Sequence, residues 1–448
     1  MAIFATAAIA LLIYNLRQTA SSRVISFAVR PLADESPARD QDYFCDGVTE
    51  ELSTRLGLFP ALRVISSNSV FRLRNANSAE LVRQLRLDAM LEGEVLKDAG
   101  RLRIHVRLSR VAESAPVWEQ TYDEPAGSEV AIEDKIVREV IPKLNAGLVR
   151  AVRSTKIAEA HDLYLRGRAA LRNGPGAASP QAAAFFQQAT VKDPQYPLAL
   201  AGLAQAYGLA PEARAAALQA LTYDESLGEA HVSLARVLMW NDADWETAEK
   251  ELNRARTLNP QYPETYLLLA KLFAFRARNQ EAVDLLERAL DVDPLSPHVH
   301  NTRAEVLLFA RDYPDAITSA RRAIELDSEF ATAHRTLGRA LMLSGNSDGG
   351  IAALKKAGPV AEAWGLALAG RADEAREAMR ILSTGLAPQP IEVARVYAAL
   401  GDMDEAFRWL DRVEPRGFLA EIVAPDWDKI RPDPRYAALL KKIGLATK

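Results

Sequence analysis

Cysteine is nearly absent: Cys45 stands alone in 448 residues, so neither an internal disulfide nor a cysteine-based zinc site can form. Histidine is sparse too, at six. His298 and His300 lie two apart, which points them in different directions on a helix, so they make no ready metal pair. Positive charge is not in excess: the net charge is −4 and the pI about 6.0, which argues against nucleic-acid binding by this chain. A phosphate loop, a His-Glu-x-x-His zinc motif and a Gly-x-Ser-x-Gly nucleophile elbow are all missing. The expectation is therefore no enzyme, no metal and no cofactor.

A full-length membrane helix is also lacking. Met1–Tyr14 is almost wholly apolar, yet a spanning helix needs roughly 17 apolar residues or more. A signal peptide fits poorly, because no Lys or Arg precedes the run and Arg17 follows it at once. A short membrane anchor over residues 1–16 is the expectation, with a buried amphiphile as the bland alternative. The charge bias leaves its orientation open, since Arg17 and Arg23 both follow the run.

What the chain does have is a beat. Ala189, Ala220, Ala255, Ala289, Ala323 and Ala357 step by 31, 35, 34, 34 and 34 residues, most of them ahead of an Asp or Asn that closes a helix. Within one period, Tyr266, Leu269, Ala270 and Phe273 form one face of a first helix, and Ala282, Leu286 and Ala289 one face of a second. Small residues let the two helices approach closely, and Asp293-Pro294 ends the second. A helix–turn–helix period near 34 resembles the tetratricopeptide repeat family. Such units must stack to bury their apolar faces. Arg303 departs from the pattern, standing where a Leu is expected. Repeats are expected to start at Gln181, after a break at Asn173–Pro180, and to degrade after Ala357, with a closing helix from Pro434 to Ile443.

The stretch before the repeats has a period of two. Strands are expected at Arg23–Val29, Arg63–Ser66, Ala89–Lys97, Leu102–Arg110 and Val117–Tyr122, with a tight turn at Asp98-Ala-Gly100. Helices are expected at Thr49–Leu58, after an N-cap at Ser78, and from Val130 to Val152, the first two on one face of the sheet. Alternation places Arg101, Arg103, His105 and Arg107 on one face. The turn sets Glu94 opposite His105 and Glu92 opposite Arg107, and pairing Leu108 with Trp118 sets Glu119 opposite Arg107 and Asp123 opposite Arg103. A self-paired solvated strip is favoured over an anion site.

Val29-Arg-Pro-Leu32, Asp42–Leu52, Leu91-Glu-Gly-Glu-Val95, Val117-Trp118 and Ile132–Ile136 resemble the TolB-type amino-terminal domain. Tyr164-Leu-Arg-Gly167, Trp240–Trp245 and the ending Pro425–Leu440 extend the likeness to bacterial proteins that place this domain between a membrane helix and tetratricopeptide repeats. The resemblance implies an α+β multidomain chain: an anchor-like helix at 1–16, a small α/β sandwich domain at 23–150, an all-α solenoid at 155–360 and degenerate repeat-like helices with a cap at 361–448. The chain is expected at the bacterial inner membrane, with the soluble domains placed in the periplasm and the orientation left open. Relatives often carry a winged-helix or nucleotide cyclase domain ahead of the membrane helix. Here only the apolar run precedes, so no such activity is expected to transfer.

The expected function is a non-enzymatic scaffold that binds a protein or peptide on the concave repeat surface. The non-core positions of the first helices are Glu229, Arg236, Glu264, Lys271, His298, Asn301, Glu305, Arg335 and Arg339. They form either an ordinary solvated face or a peptide groove. Their mixed signs lack the uniformly basic lining expected for an acidic tail. The alternative function is a transcriptional or cyclase-type regulator lacking its usual effector domain.

Overall fold

The structure, a computed structural model, describes residues 24–113, 115–144, 154–173, 178–382 and 389–445. The chain divides into two compact units, Met1–Val152 and Arg153–Lys448.

The first unit is built on strands β1 Ile25–Val29, β2 Ala33–Asp34, β3 Leu62–Val64, β4 Ala89–Asp98, β5 Arg101–Arg110 and β6 Trp118–Pro125. They form one sheet in the order β3-β1-β4-β5-β6, with β2 also on β4. β1 runs parallel to β3 and β4, while β4, β5 and β6 make an antiparallel meander. The meander has the register read from the sequence: Glu94 opposite His105, Glu92 opposite Arg107, Asp123 opposite Arg103. The side chains then shift diagonally. Asp123 takes both Arg101 and Arg103, at 2.6 and 2.7 Å, while Glu119 goes to His105 at 3.1 Å, leaving Arg107 to Glu92 at 3.3 Å.

Helices α1 Asp42–Gly57, α2 Ser67–Arg72, α3 Ser78–Leu85 and α4 Glu129–Lys143 complete the unit. They flank both faces of the sheet, not one. Phe27, Val29 and Leu91 alternate with Ala28 and Met90, and all five are buried; strands apolar on both sides need cover on both. On one side α1 meets α4 through Arg55, which contacts Glu51 at 2.8 Å, Glu133 at 3.2 Å, and Asp134. On the other side Arg30 donates to the Ser78 hydroxyl at 2.9 Å, which donates to Glu92 at 3.2 Å. Ser78 is therefore a clamp. The N-cap is Asn77, whose Oδ1 accepts from the Glu80 amide at 2.9 Å.

Cys45 lies in α1 and is 1% exposed. Burial, then the carboxylates of Asp34, Asp46 and Asp42, push its thiol up to about 12. At pH 8 only about one molecule in 10⁴ then carries a thiolate, the reactive form. Native protein should leave a chromogenic disulfide reagent unreacted over minutes, with one equivalent appearing on unfolding. Prompt stoichiometric reaction of the folded chain would contradict this burial.

The inner-membrane placement expected from the sequence is corrected. Among the described residues no helix is long and apolar enough to cross a membrane. The run 1–16 lies outside the described residues.

The second unit is a succession of helical hairpins. Ala158–Asn173 pairs with Pro180–Lys192, Pro197–Tyr207 with Pro211–Tyr223, Gly228–Val237 with Trp245–Leu258, and Pro263–Phe275 with Asn279–Val292. Pro297–Phe309 then pairs with Tyr313–Leu326, Ala331–Leu343 with Ser347–Ala357, Pro359–Leu368 with Ala372–Leu382, and Pro390–Leu400 with Met403–Leu410. Many first helices open on proline, which costs nothing where the amide would be unbonded anyway. Ala189, Ala220, Ala255, Ala289 and Ala323 are fully buried, so the beat marks the helix-to-helix contact. The first hairpin begins before Gln181: Gly167 of helix 158–173 lies against the Phe186 ring, with no room for a Cβ. Residues 174–177 of the expected break, and residues 383–388, lie outside the described residues. Arg303 reaches Glu287 at 2.9 Å and the Ser319 hydroxyl at 2.6 Å, so its departure from the apolar pattern is met by polar partners.

The one long step, of 35 residues, coincides with a π-helical turn at Leu238–Asp242. A π turn absorbs a single extra residue. It closes on Ala243 in the left-handed region, with φ 53°.

Candidate functional site

First helices of neighbouring hairpins pack directly on one another, for example 263–275 on 297–309 and 297–309 on 331–343. They therefore form the inner face of the array, and the expected site residues lie on it. Arg236, Asn301 and Arg339 are buried, and His298 is exposed beside the Phe330 ring at 4.7 Å.

These residues mostly bind one another across units. Glu229 accepts from Asn259 at 2.7 Å, and Arg236 donates to Glu264 at 2.7 Å. Lys271 reaches Glu305 at 3.0 Å, where Asn301 also donates at 3.0 Å. Burial pulls the Lys271 ammonium down, but Glu305 more than offsets it, leaving the net shift upward. Arg335 is paired with Glu392.

Arg339 is different, because its partner comes from the end of the chain. After helix 403–410 the backbone folds into two short 3₁₀ helices, Arg416–Val423 and Pro425–Ile430, and crosses the inner face. Asp426 enters a fork of two arginines. Arg339 grips it with Nη2 at 2.8 Å and Nε at 3.1 Å, and Arg395 Nε lies 2.9 Å away. The Asp426 side chain is fully buried, and those of Arg339 and Arg395 are 8% and 5% exposed. Burial alone would raise the Asp426 carboxyl, but the two guanidinium groups hold it below the usual range.

Neighbouring contacts extend the seat. Glu421 meets Arg395 at 2.8 Å, Asp428 meets Arg311 at 2.7 Å, and Trp427 is fully buried with Arg395 over its ring. Phe418 stacks on Trp240 of the π turn, with centroids 5.0 Å apart. Helix Pro434–Lys442 follows, and Trp245 Nε1 donates to the Ile443 carbonyl just after it. Beside the fork, Arg335, Glu392 and Trp364 wall a small hollow. The buried Trp364 indole N–H has no hydrogen-bond acceptor among the described residues.

The mixed signs of the first helices thus did not exclude an acidic segment. An acidic segment is there, and it is the chain's own. Sequence reading stopped at Arg339 and missed Arg395, 56 positions later on a helix assigned to a degenerate region. The available signal was Pro425-Asp-Trp-Asp-Lys-Ile-Arg-Pro, too proline-punctuated for a long helix yet carrying a Trp and an Ile.

Gly417 sets the fit. A Cβ there would lie 2.5 Å from Trp240 Cα and still closer to the Met239 carbonyl, both backbone atoms. Gly417→Ala should cost about 1–3 kcal/mol, the usual range for overpacking, seen as a lower urea midpoint. An unchanged midpoint would mean that the segment does not sit this close.

Among the described residues no group of three or more His, Cys, Asp or Glu is placed to hold a metal ion. Models of the tetratricopeptide repeat match residues 242–306 and 301–365. The hairpins within residues 242–365 are tetratricopeptide repeats. The chain is 28% identical over 236 residues to "Putative adenylate cyclase 3" of Rhizobium meliloti (strain 1021), a match covering 48% of this chain and 40% of that relative. The chain thus spans well under two thirds of that relative's length. Among solved structures, human IFIT1 with m7Gppp-AAAA is 18% identical, with a TM-score of 0.43 over 64% of this chain and 77% of that one. A tetratricopeptide repeat protein of Thermus thermophilus is 20% identical, with a TM-score of 0.35 over 41% of this chain and 99% of that one.

Proposed function

We propose that this chain is a protein–protein interaction scaffold whose tetratricopeptide repeats receive a peptide segment of a partner on their inner face. The observation that carries this reading is the row of polar side chains on successive first helices, Glu229, Arg236, Glu264, Lys271, His298, Asn301 and Glu305, continuing to Arg335 and Arg339 at the fork. A repeat array needs only apolar contacts to stack; a polar row along one face supports use as a binding surface. The first unit is read as a TolB-type domain, supported by the motifs quoted above, among them Leu91-Glu-Gly-Glu-Val95, which forms the middle of β4.

Photo-crosslinking tests the reading. A crosslinker at position 264 or 298 should capture a given partner, while one at Leu218, 48% exposed on a second helix, should not. Equal capture from position 218 would reject the inner face as the binding surface.

The likeness to the Rhizobium meliloti protein supports a second reading, a regulatory module in cyclase-type signalling. Co-expression with that relative should change cellular cyclic nucleotide at least twofold. No change would remove this second reading.

A further inference from the structure

We propose that Arg416–Ile430 is an internal occupant of the inner face, and that the repeats exchange it for an acidic, aromatic-bearing segment of a partner protein. This rests on the scaffold reading above and names the partner's chemistry.

Three observations carry it. Each of the segment's three acids meets an arginine of the array: Glu421 meets Arg395, Asp426 the Arg339–Arg395 fork, and Asp428 Arg311. Its conformation is that of a docked strip. The two 3₁₀ helices are short, and Leu419, Ile422, Trp427 and Ile430 are buried in one apolar cluster with Leu307, Leu308 and Ala340 of the array. Its entry is largely exposed: Asp411, Arg412 and Glu414 are exposed and Phe418 at the leading end is only partly covered, with Val413 the buried residue between them.

A buried donor beside the seat is also unused. Trp364, 2% exposed, lines the hollow beside the fork, and its buried indole N–H has no acceptor among the described residues. A buried unsatisfied donor carries a desolvation penalty that a new acceptor relieves. A partner segment that places a carboxylate or carbonyl oxygen there makes a contact the internal occupant leaves unmade. Such a segment can compete although the occupant is tethered at a high effective concentration.

The test uses the full chain with a specific protease site inserted between Asp411 and Arg412 and cut after folding. A fluorescent peptide of residues 416–445 should enter the cut protein at least tenfold more than the uncut protein. The same peptide carrying Asp426→Asn should compete at least tenfold less well. Failure of the peptide to enter after cutting, or unfolding on cutting, would overturn the proposal, since the segment would then be a fixed part of the fold. Equal competition by the Asp426→Asn peptide would also overturn it. Phe418→Ala in the uncut chain supplies a second readout: hydrogen exchange should rise at least tenfold within 416–421 alone, and a rise throughout the array would count against exchange. The scaffold reading fails separately, through the crosslinking at positions 264 and 298.

Discussion

Asp426→Ala should cost the second unit about 3–5 kcal/mol, the range for removing one partner of a buried ion pair. Arg339 and Arg395 would remain almost without solvent, with Glu421 the one carboxylate still paired to Arg395. Asp426→Asn should be nearly as damaging, because it keeps the shape and removes the charge. The triple replacement Asp426→Leu, Arg339→Met, Arg395→Met should be milder than Asp426→Ala, since no charge is then stranded. Urea unfolding of the four proteins decides the matter, and a triple variant weaker than Asp426→Ala would refute it. The pH dependence has a definite sign. The Asp426 carboxyl is held below its unfolded value, so its stabilisation is present above that unfolded value, about 3.9, and is lost as pH falls through the folded one. Reversing Arg335 or Arg339 to Glu would break internal pairs, to Glu392 and Asp426 respectively, and so cannot by itself report on partner binding.

Arg55→Ala should cost the first unit a similar amount, about 3–5 kcal/mol. The guanidinium is 6% exposed and holds Glu51 and Glu133, whose side chains are 5% and 0% exposed, together with Asp134. Burial pulls the Arg55 charge down, but Glu51, Glu133 and Asp134 outweigh it and stabilise the cation. Without it, α1 and α4 bring carboxylates together in a site closed to water. Arg55→Lys should recover less than half of the loss, because an ammonium cannot reproduce the fork that spans three carboxylates. A loss below about 1 kcal/mol for Arg55→Ala, the range of an exposed pair, would show that water reaches the cluster.

The parts of this fold that were legible are those in which one residue type repeats at a fixed interval. The buried alanines announced the hairpins because close helix packing at each crossing admits nothing larger. The β4–β5 register was readable because a turn centred on Ala99-Gly100 leaves alternation no freedom, and pairing Leu108 with Trp118 carried it on to β6. What was not legible depends on contacts between remote stretches. Helix α3 covers the second face of the sheet through Ser78, Arg30 and Glu92, and no local period reports that. Likewise Arg339 and Asp426 lie 87 positions apart, so each read locally as an ordinary charged residue. The polar row lies on the first helices, and its far end is taken by Asp426.

The returning segment changes the order in which this chain can mature. A plain repeat array grows by neighbour contacts and can fold piece by piece as it leaves the ribosome. Here Trp245 is bonded to Ile443, 198 positions later, and Arg311 to Asp428, 117 later. At roughly 5–20 residues per second, the 87 residues from Arg339 to Asp426 take about 4–17 s to synthesise. Throughout that interval Arg339 waits for Asp426, and over its last 31 residues Arg395 is also in place and the fork stands unfilled. Each newly made molecule therefore passes through an open state before its own last residues arrive.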